Sequence, residues 1–381
     1  MSQSPAPNDA LSPFPTTAAL LYSDEPVEAD NKDGSLSDYF SDGKSDTTSI
    51  TPSVRDYVYE NGRRYHRYGG EGKYVLPNDE TEQDRLDLMH HIQLMALGGE
   101  LYMAPVKNAQ NVLDCGTGTG IWALDFGDSH PESKVTGVDL SPIQPGWTAP
   151  NVAFEVDDLE KDWSWEADHF DFIHIRSICN GYFPHNPQLS APRRTSLPVP
   201  PHFSNLIVIL DTDPLTIPIH AKPGGWTELS ELSFELIAKD NTIPADSALA
   251  QYLDCVKRGY AEMGIAFPNA RMLKQSMEKA GFVDIVARTV SISSALATLI
   301  VLIPCGPWPR NRRLKKLGAT VTLVDPAGFE AYGLAPMTRA LGMDIEEAKK
   351  VCHKAHADLL NPAIHASLPV YYVFGCKPEA G

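Results

Sequence analysis

The 381-residue sequence predicts an α/β fold, a sheet with helices on both of its faces. Two observations carry this. Short apolar strands recur between helical or loop-like stretches from residue 111 onward, and the first of them runs straight into a glycine-rich turn that opens a helix. A chain with 43% hydrophobic and 21% charged residues has the composition of an ordinary globular protein, with enough apolar material for one large core or two.

Residues 1–50 are rich in Ser, Pro, Asp and Thr without apolar periodicity, so they are expected to form a disordered acidic tail. Residues 51–105 read as a tyrosine-rich segment, with Tyr57, Tyr59, Tyr65, Tyr68 and Tyr74 among charges and glycines, followed by a helix packing over the core. The helix is expected over Asp79–Leu97, with Leu86, Met89, His90, Leu94 and Leu97 along one face and Gly98-Gly99 as its stop. The main domain, 106–381, opens with strand Asn111–Cys115 and helix Ile121–Phe126. Strands follow at Lys134–Leu140, Val152–Val156 and Phe170–Ile175, then a turn at Lys222-Pro223-Gly224-Gly225 and a strand at Thr227–Leu236. Helices are expected at Ser247–Met263 and Ala270–Lys279, a buried strand at Ala295–Ile303, and closing strands at Phe282–Val290 and Val370–Cys376. Nine prolines between 184 and 223 interrupt the pattern where a parallel sheet needs a helical crossover. The stretch 184–221 is therefore read as an atypical extended insert or as translated non-coding material.

Several function classes recede on composition. The net charge of −17 disfavours direct nucleic-acid binding, although Arg310, Arg312, Arg313, Lys315 and Lys316 form a local basic cluster, read as a solvated face, an import signal or a phosphate contact. No run approaches the roughly 18 apolar residues of a membrane span, so no membrane association is expected. The opening residues lack a secretory pattern, and the six cysteines are scattered at 115, 179, 255, 305, 352 and 376. No metal site is expected, and the compartment is read as cytoplasmic or nuclear, not secreted.

The chemistry concentrates in Asp114-Cys115-Gly116-Thr117-Gly118-Thr119-Gly120. Glycines allow a tight turn and close backbone approach to a ligand, and a helix N-terminus follows. Three details make this a cofactor loop of a Rossmann-like domain. The spacing is Gly-x-Gly-x-Gly, with Ile121 where a dinucleotide fingerprint carries its third glycine. Asp114, at the mouth of the loop, would repel a pyrophosphate and suits a ligand carrying an ammonium and a sulfonium. Asp139 ends the next strand, near the offset at which an acidic residue meets ribose hydroxyls. Asp157 and Asp158 follow the third strand, where one carboxylate would meet an adenine amino group or cap a helix. His174 and Arg176 point toward the cleft, the first as a candidate general base and the second as a partner for a carboxylate, or both as structural groups. An NAD-dependent oxidoreductase is disfavoured by Asp114 and by the glycine spacing.

The chain resembles the LaeA-like fungal methyltransferases. The resemblance rests on Glu60-Asn61-Gly62-Arg63-Arg64-Tyr65-His66, Pro77-Asn78-Asp79-Glu80 with Gln83-Asp84-Arg85-Leu86, and the segment Val112–Trp122. It continues through Gly137–Pro145, Phe170–Arg176, Lys222–Trp226, Gly306-Pro307-Trp308-Pro309 and the tail around Tyr371-Tyr372. It implies a class I methyltransferase sheet over 106–381 and S-adenosyl-L-methionine as cofactor. Asp114, Gly116 and Gly118 would then serve the methionine end, Asp139 the ribose, and Asp157 or Asp158 the adenine. Stretches 184–221 and 293–303 depart from the family pattern. The resemblance leaves two readings: an enzyme methylating a small molecule in secondary-metabolite biosynthesis, or a regulatory protein acting through protein partners. No catalytic base is implied, because methyl transfer needs one only for a neutral acceptor.

Overall fold

The computed structural model describes residues 56–67, 75–159, 161–178, 216–238, 240–265, 267–288 and 300–379. The expected disordered tail, most of the proline-dense insert, residues 293–299, Tyr68 and Tyr74 lie outside the described residues.

A hairpin comes first: β1 (Tyr57–Glu60) pairs antiparallel with β2 (Arg63–His66). Its turn is Asn61-Gly62, with φ of 54° and 78°, the left-handed pair that a two-residue hairpin requires. Helix α1 (Glu80–Leu97) starts at Asp79, whose carboxylate accepts from the Glu82 amide, and stops at Gly98 in the left-handed region.

The remaining strands form one sheet. In chain order they are β3 (Asn111–Cys115), β4 (Lys134–Asp139), β5 (Val152–Val156), β6 (Phe170–Arg176), β7 (Ala221–Leu232), β8 (Val283–Arg288), β9 (Ile300–Pro304) and β10 (Ser367–Cys376). The sheet order is β5-β4-β3-β6-β7-β10-β8, with β9 also paired to β10. From β5 to β7 the pairing is parallel; β10 runs antiparallel to β7, β8 and β9. The order reverses at β3, which puts a crevice at the C-terminal ends of β3, β4 and β6, where open α/β sheets bind ligands.

Helix α2 (Ile121–Ser129) buries Trp122, Ala123 and Phe126 against Val112, Val135 and Phe172 on one face of the sheet. Helix α4 (Ala270–Lys279) buries Leu273 and Met277 against Leu113, Ile173 and Leu229 on the other, and α3 (Ala248–Glu262) precedes it. After β9 come α5 (Arg312–Val321), α6 (Pro326–Ala335), a π-helical turn (Pro336–Ala340) and α7 (Ile345–Leu359). Helices α3, α6 and α7 share their own apolar core around Tyr252, Val256, Leu334 and Cys352.

Two expectations need correction. Lys222–Gly225 is not a turn ahead of a strand but part of β7, which starts at Ala221. The positive φ of Gly224, 75°, is absorbed by a register irregularity opposite Phe170 and Phe172. Nor does proline exclude helix at the end of the insert. Thr216–His220 forms one helical turn containing Pro218, and a proline in a first turn forfeits no intrahelical bond. Residues 300–303 of the second departing stretch form β9, in register with β10 through Leu302 opposite Pro369.

Candidate functional site

The glycine loop joins β3 to α2 and lies against the end of β4. Gly116, Gly118 and Gly120 have φ of 69°, 60° and 82°, which only glycine adopts without strain. Space also demands Gly120, since a Cβ there would lie 2.3 Å from the Phe154 ring. The loop's polar groups turn inward. Gly116 and Thr117 donate their amides to the Val138 carbonyl at 2.8 and 2.9 Å, and Gly120 donates to Thr117 at 2.9 Å. The Gly118 amide donates to the Asp139 carboxylate at 2.8 Å. These four N–H groups are therefore already satisfied, and the loop does not offer a phosphate the ring of free amides that a dinucleotide fingerprint supplies.

Asp139 also accepts from the Ser141 amide at 2.9 Å. Burial pushes its carboxyl up to about 6, against the pull of those two amides. Gln144 ties the arrangement down by donating to the carbonyls of Gly118 and Ser141 at 2.6 and 2.9 Å.

Asp114 sits beneath the loop, 3% exposed. One oxygen accepts from the Thr117 hydroxyl at 2.6 Å and the other pairs with His174 Nδ1 at 2.7 Å. The His174 ring stacks on Trp122, with centroids 3.7 Å apart and planes 5° from parallel. Burial lowers the pKa of His174 and outweighs Asp114, so the neutral imidazole is favoured, with Nδ1 carrying the proton toward the carboxylate. Register explains this pairing: Asp114, His174 and Glu228 are lateral neighbours on β3, β6 and β7, so they share one face of the sheet. Glu228 is fully buried, accepts from the amides of Met103 and Ala104 at 2.7 and 2.6 Å, and is pushed up to about 7 by burial.

Arg176, at the end of β6, donates from Nη1 to His90 Nδ1 at 3.0 Å, and His90 Nε2 meets Asp125 at 2.8 Å. With Nδ1 accepting, the proton of His90 is on Nε2, directed at Asp125. The guanidinium is thereby fixed from behind.

One cavity collects part of this set. It is walled by the loop glycines Gly116 and Gly118, by Asp139 to Ser141 and Ile143, by Leu159, and by Arg176 to Ile178. Its roof comes from Leu76, Pro77 and Asn78 and from Glu82, Arg85 and Leu86 of α1, and Tyr332 of α6 closes one end. Of the residues expected from sequence, Gly116, Gly118, Asp139 and Arg176 thus line the cavity together. Asp114 and His174 are packed below it, and Asp157 and Asp158 are outside its lining, although Leu159 beside them is part of it. The Asp157 amide instead donates to the Asp139 carbonyl at 3.1 Å, and the Asp157 side chain accepts from the Asp158 amide at 2.7 Å.

Sequence reasoning missed the roof. Arg85 Nε and Nη2 donate to Glu82 at 2.9 and 2.5 Å, both side chains are buried, and the guanidinium lies 4.6 Å over the Tyr332 ring. Burial opposes the Arg85 charge, but Glu82 and Tyr332 outweigh it and raise the pKa of Arg85. The only trace in sequence is a Glu-x-x-Arg pair, which on most helices is a solvated surface bridge. The hairpin is fastened to the same roof: Arg63 makes a two-pronged pair with Asp79 at 2.7 and 2.9 Å and donates to the Ala327 carbonyl at 3.1 Å. Among the described residues no cluster of three or more His, Cys, Asp or Glu is arranged to hold a metal ion, and no helix is long and apolar enough to cross a membrane.

A family model described as a methyltransferase domain matches residues 75–187, which hold the roof, the loop and β3 to β6. The chain is 34% identical to methyltransferase pytC of Aspergillus terreus, over 88% of this chain and 93% of that one. It is 32% identical to the secondary metabolism regulator LAE1 of Cochliobolus heterostrophus, over 86% and 97%. It is 31% identical to the protein-methionine methyltransferase laeA of Emericella nidulans, over 81% and 73%. Among solved structures, phosphoethanolamine N-methyltransferase 2 of Haemonchus contortus aligns over 81% of this chain and 55% of its own, with 15% identity and a TM-score of 0.40. Identity of this level across nearly the full length of the first two relatives means that the chain belongs to the LaeA-like methyltransferases.

Proposed function

We propose that the protein transfers a methyl group from S-adenosyl-L-methionine to a small molecule of fungal secondary metabolism. One observation carries the reading: an inward-satisfied glycine loop, a strand-end carboxylate and a fixed guanidinium meet on one cavity at the switch point of the sheet. The donor set fits this cofactor. Asp139 has lone pairs beyond those engaged by Gly118 and Ser141, and these can accept from ribose hydroxyls. Leu140, Ile143 and Leu159 supply apolar surface for an adenine. Arg176 is suited to the methionine carboxylate, and the buried Asp114 lends negative potential beneath the loop, which favours an ammonium and a sulfonium. Asp157 and Asp158 are assigned to shaping the turn beside Leu159 rather than to direct adenine contact.

The cofactor, once bound, supplies a methyl group activated by positive sulfur. The protein's work is positioning and exclusion of water. His90 and Asp125 hold Arg176, Thr117 and His174 hold Asp114, and the Glu82–Arg85–Tyr332 roof shields the cavity. His174 acts as a positioning residue on Asp114: its ring faces Trp122 and its Nδ1 faces the carboxylate. Parallel titrations with S-adenosylhomocysteine and NAD test the cofactor. Binding of the first alone is expected, and preference for NAD refutes the assignment.

The names of the relatives favour a second reading, a regulator that acts on or through proteins. Helix α5 presents Arg312, Lys315 and Lys316 at the surface, available to an acidic partner, while Arg313 between them donates to the Met95 carbonyl at 3.2 Å. Turnover of a purified metabolite supports the first reading; methyl transfer confined to captured proteins supports the second.

A further inference from the structure

Strand β9 has two unlike faces. Val301 and Ile303 are buried in a cluster with Ile92 of α1, while Leu302 and Pro304 line an open groove of about 410 Å³ on the other side. Trp308 and Leu314 wall this groove, and the Trp308 ring is fixed in place. Its Nε1 donates to the Ala366 carbonyl at 3.0 Å, and the His365 ring stacks on it with centroids 5.1 Å apart. His365 is held in turn, with Nδ1 2.6 Å from the Asp240 carboxylate. A preset tryptophan in an apolar groove has little side-chain freedom left to lose on binding, which suits it to anchor a partner. One rim of the groove is basic. Arg310 lines it, and Lys315 lies one turn beyond Asn311, which lines it too. Arg312 and Lys316 continue the exposed strip on α5. None of these four cations pairs with an acid among the described residues, whereas Arg64, Lys222, Arg258 and Lys377 each do. In a chain of net charge −17, an unneutralised basic strip attracts a negative group locally. A long polyanion would also meet the acidic remainder of the surface. A short acidic peptide need cover only the strip, and it has a side chain to place in the groove.

We infer that groove and strip together form a docking site for an acidic peptide segment of a partner protein, with one bulky apolar side chain seated between Leu302, Trp308 and Leu314 and its flanking carboxylates on Arg310 and Lys315. The inference rests on the second reading above, a protein that acts on or through proteins, and not on the cofactor assignment. Apolar burial supplies the anchor, and the charges set the register and speed the encounter.

The test titrates the full chain into a labelled peptide, one phenylalanine flanked on each side by glutamates, and reads fluorescence anisotropy. Replacing Trp308 could unseat Ala366 and spoil the fold, so the anchor is varied on the peptide: a serine in place of its phenylalanine should weaken binding at least ten-fold. The strip is varied on the protein, at exposed positions. Arg310→Glu with Lys315→Glu should weaken the phenylalanine peptide at least ten-fold. Lys257→Glu with Lys354→Glu changes the net charge equally on exposed parts of α3 and α7, and should weaken it less than three-fold. Equal loss in the two double variants, equal binding of the two peptides, or no binding by the wild type overturns the inference. So does an oligothymidylate of equal charge that binds as tightly as the peptide, or self-association of the chain that excludes the peptide. Peptide binding by a chain that binds no S-adenosylhomocysteine upholds the docking site and removes the cofactor assignment; the reverse result removes the docking site alone.

Discussion

Asp139→Ala separates binding from stability, because the structure assigns the carboxylate opposite effects on the two. In the ligand-free protein the charged carboxylate accepts from the amides of Gly118 and Ser141, and losing either bond costs about 1–3 kcal/mol. Burial works the other way. Raising the carboxyl from 3.8 to about 6 corresponds to at most about 3 kcal/mol, less in practice because the side chain keeps an edge open to the cavity. That shift is already net of the two amide bonds, so it bounds the change, and stability by denaturant titration should move by no more than about 3 kcal/mol. Binding has no such compensation. Ribose hydroxyls donating to the carboxylate favour its charged form, and their loss should weaken S-adenosylhomocysteine at least about ten-fold, roughly 1.4 kcal/mol. Asn should not rescue, since its amide turns a donor toward one of the two backbone donors. The pH dependence has a defined sign. A carboxyl raised in the folded state contributes stability that is present below 3.8 and lost as pH rises through about 6, whereas cofactor affinity should climb over that upper range and level off above it. Calorimetric titration from pH 5 to 8 reads this directly. Affinity that is flat with pH in the wild type and unchanged in Asp139→Ala refutes the assignment of Asp139 to the ribose.

Gly120→Ala should destabilise by about 2 kcal/mol or more, since its Cβ would meet Phe154 at 2.3 Å with the backbone held at φ 82°; a melting temperature within error of wild type contradicts the close packing. His174→Gln should flatten the pH dependence of stability. Burial depresses the pKa of His174, so its contribution is present above the ordinary histidine value and lost as pH falls through the depressed one, and the wild type should lose more than the variant between pH 7 and 5. Arg176→Met should weaken S-adenosylhomocysteine about ten-fold or more while leaving adenosine binding unchanged, if Arg176 meets the methionine carboxylate; equal loss for both ligands places it elsewhere. Asp79→Ala removes both the α1 cap and the Arg63 pair, and limited proteolysis should then cut within 56–78 before the sheet is touched, with a stability loss of about 2–4 kcal/mol.

The sheet and its loop were legible because their determinants are local. Four consecutive parallel strands announce themselves as short apolar runs, and Gly-x-Gly-x-Gly marks a turn that no other residue can make at three positive φ values. The strand-end position of Asp139 follows from the same pattern, as does the boundary of α3 at Ser247, whose hydroxyl caps the helix. Tertiary structure decided everything that depends on which side chain faces which. Both oxygens of Asp114 belong to Thr117 and His174 because β3 and β6 lie side by side in a register no local signal states. The glycine-loop amides turn inward because the β4 end and Asp139 stand behind them, so a loop that reads as a ligand cradle is satisfied before any ligand arrives. The face expected of α1 is Leu86, Met89, His90, Leu94 and Leu97; of these His90 is buried and the others are half-buried, and α1 also buries Glu82 and Arg85, since the elements it meets carry Tyr332, Arg176 and Asp125. A buried charge is stable only beside a partner, and Arg85 has one three residues away in Glu82 and a second, Tyr332, 247 residues away. Local sequence sets where the backbone turns; long-range packing sets where the polar groups find their partners, and the chemistry of the site rests on the second.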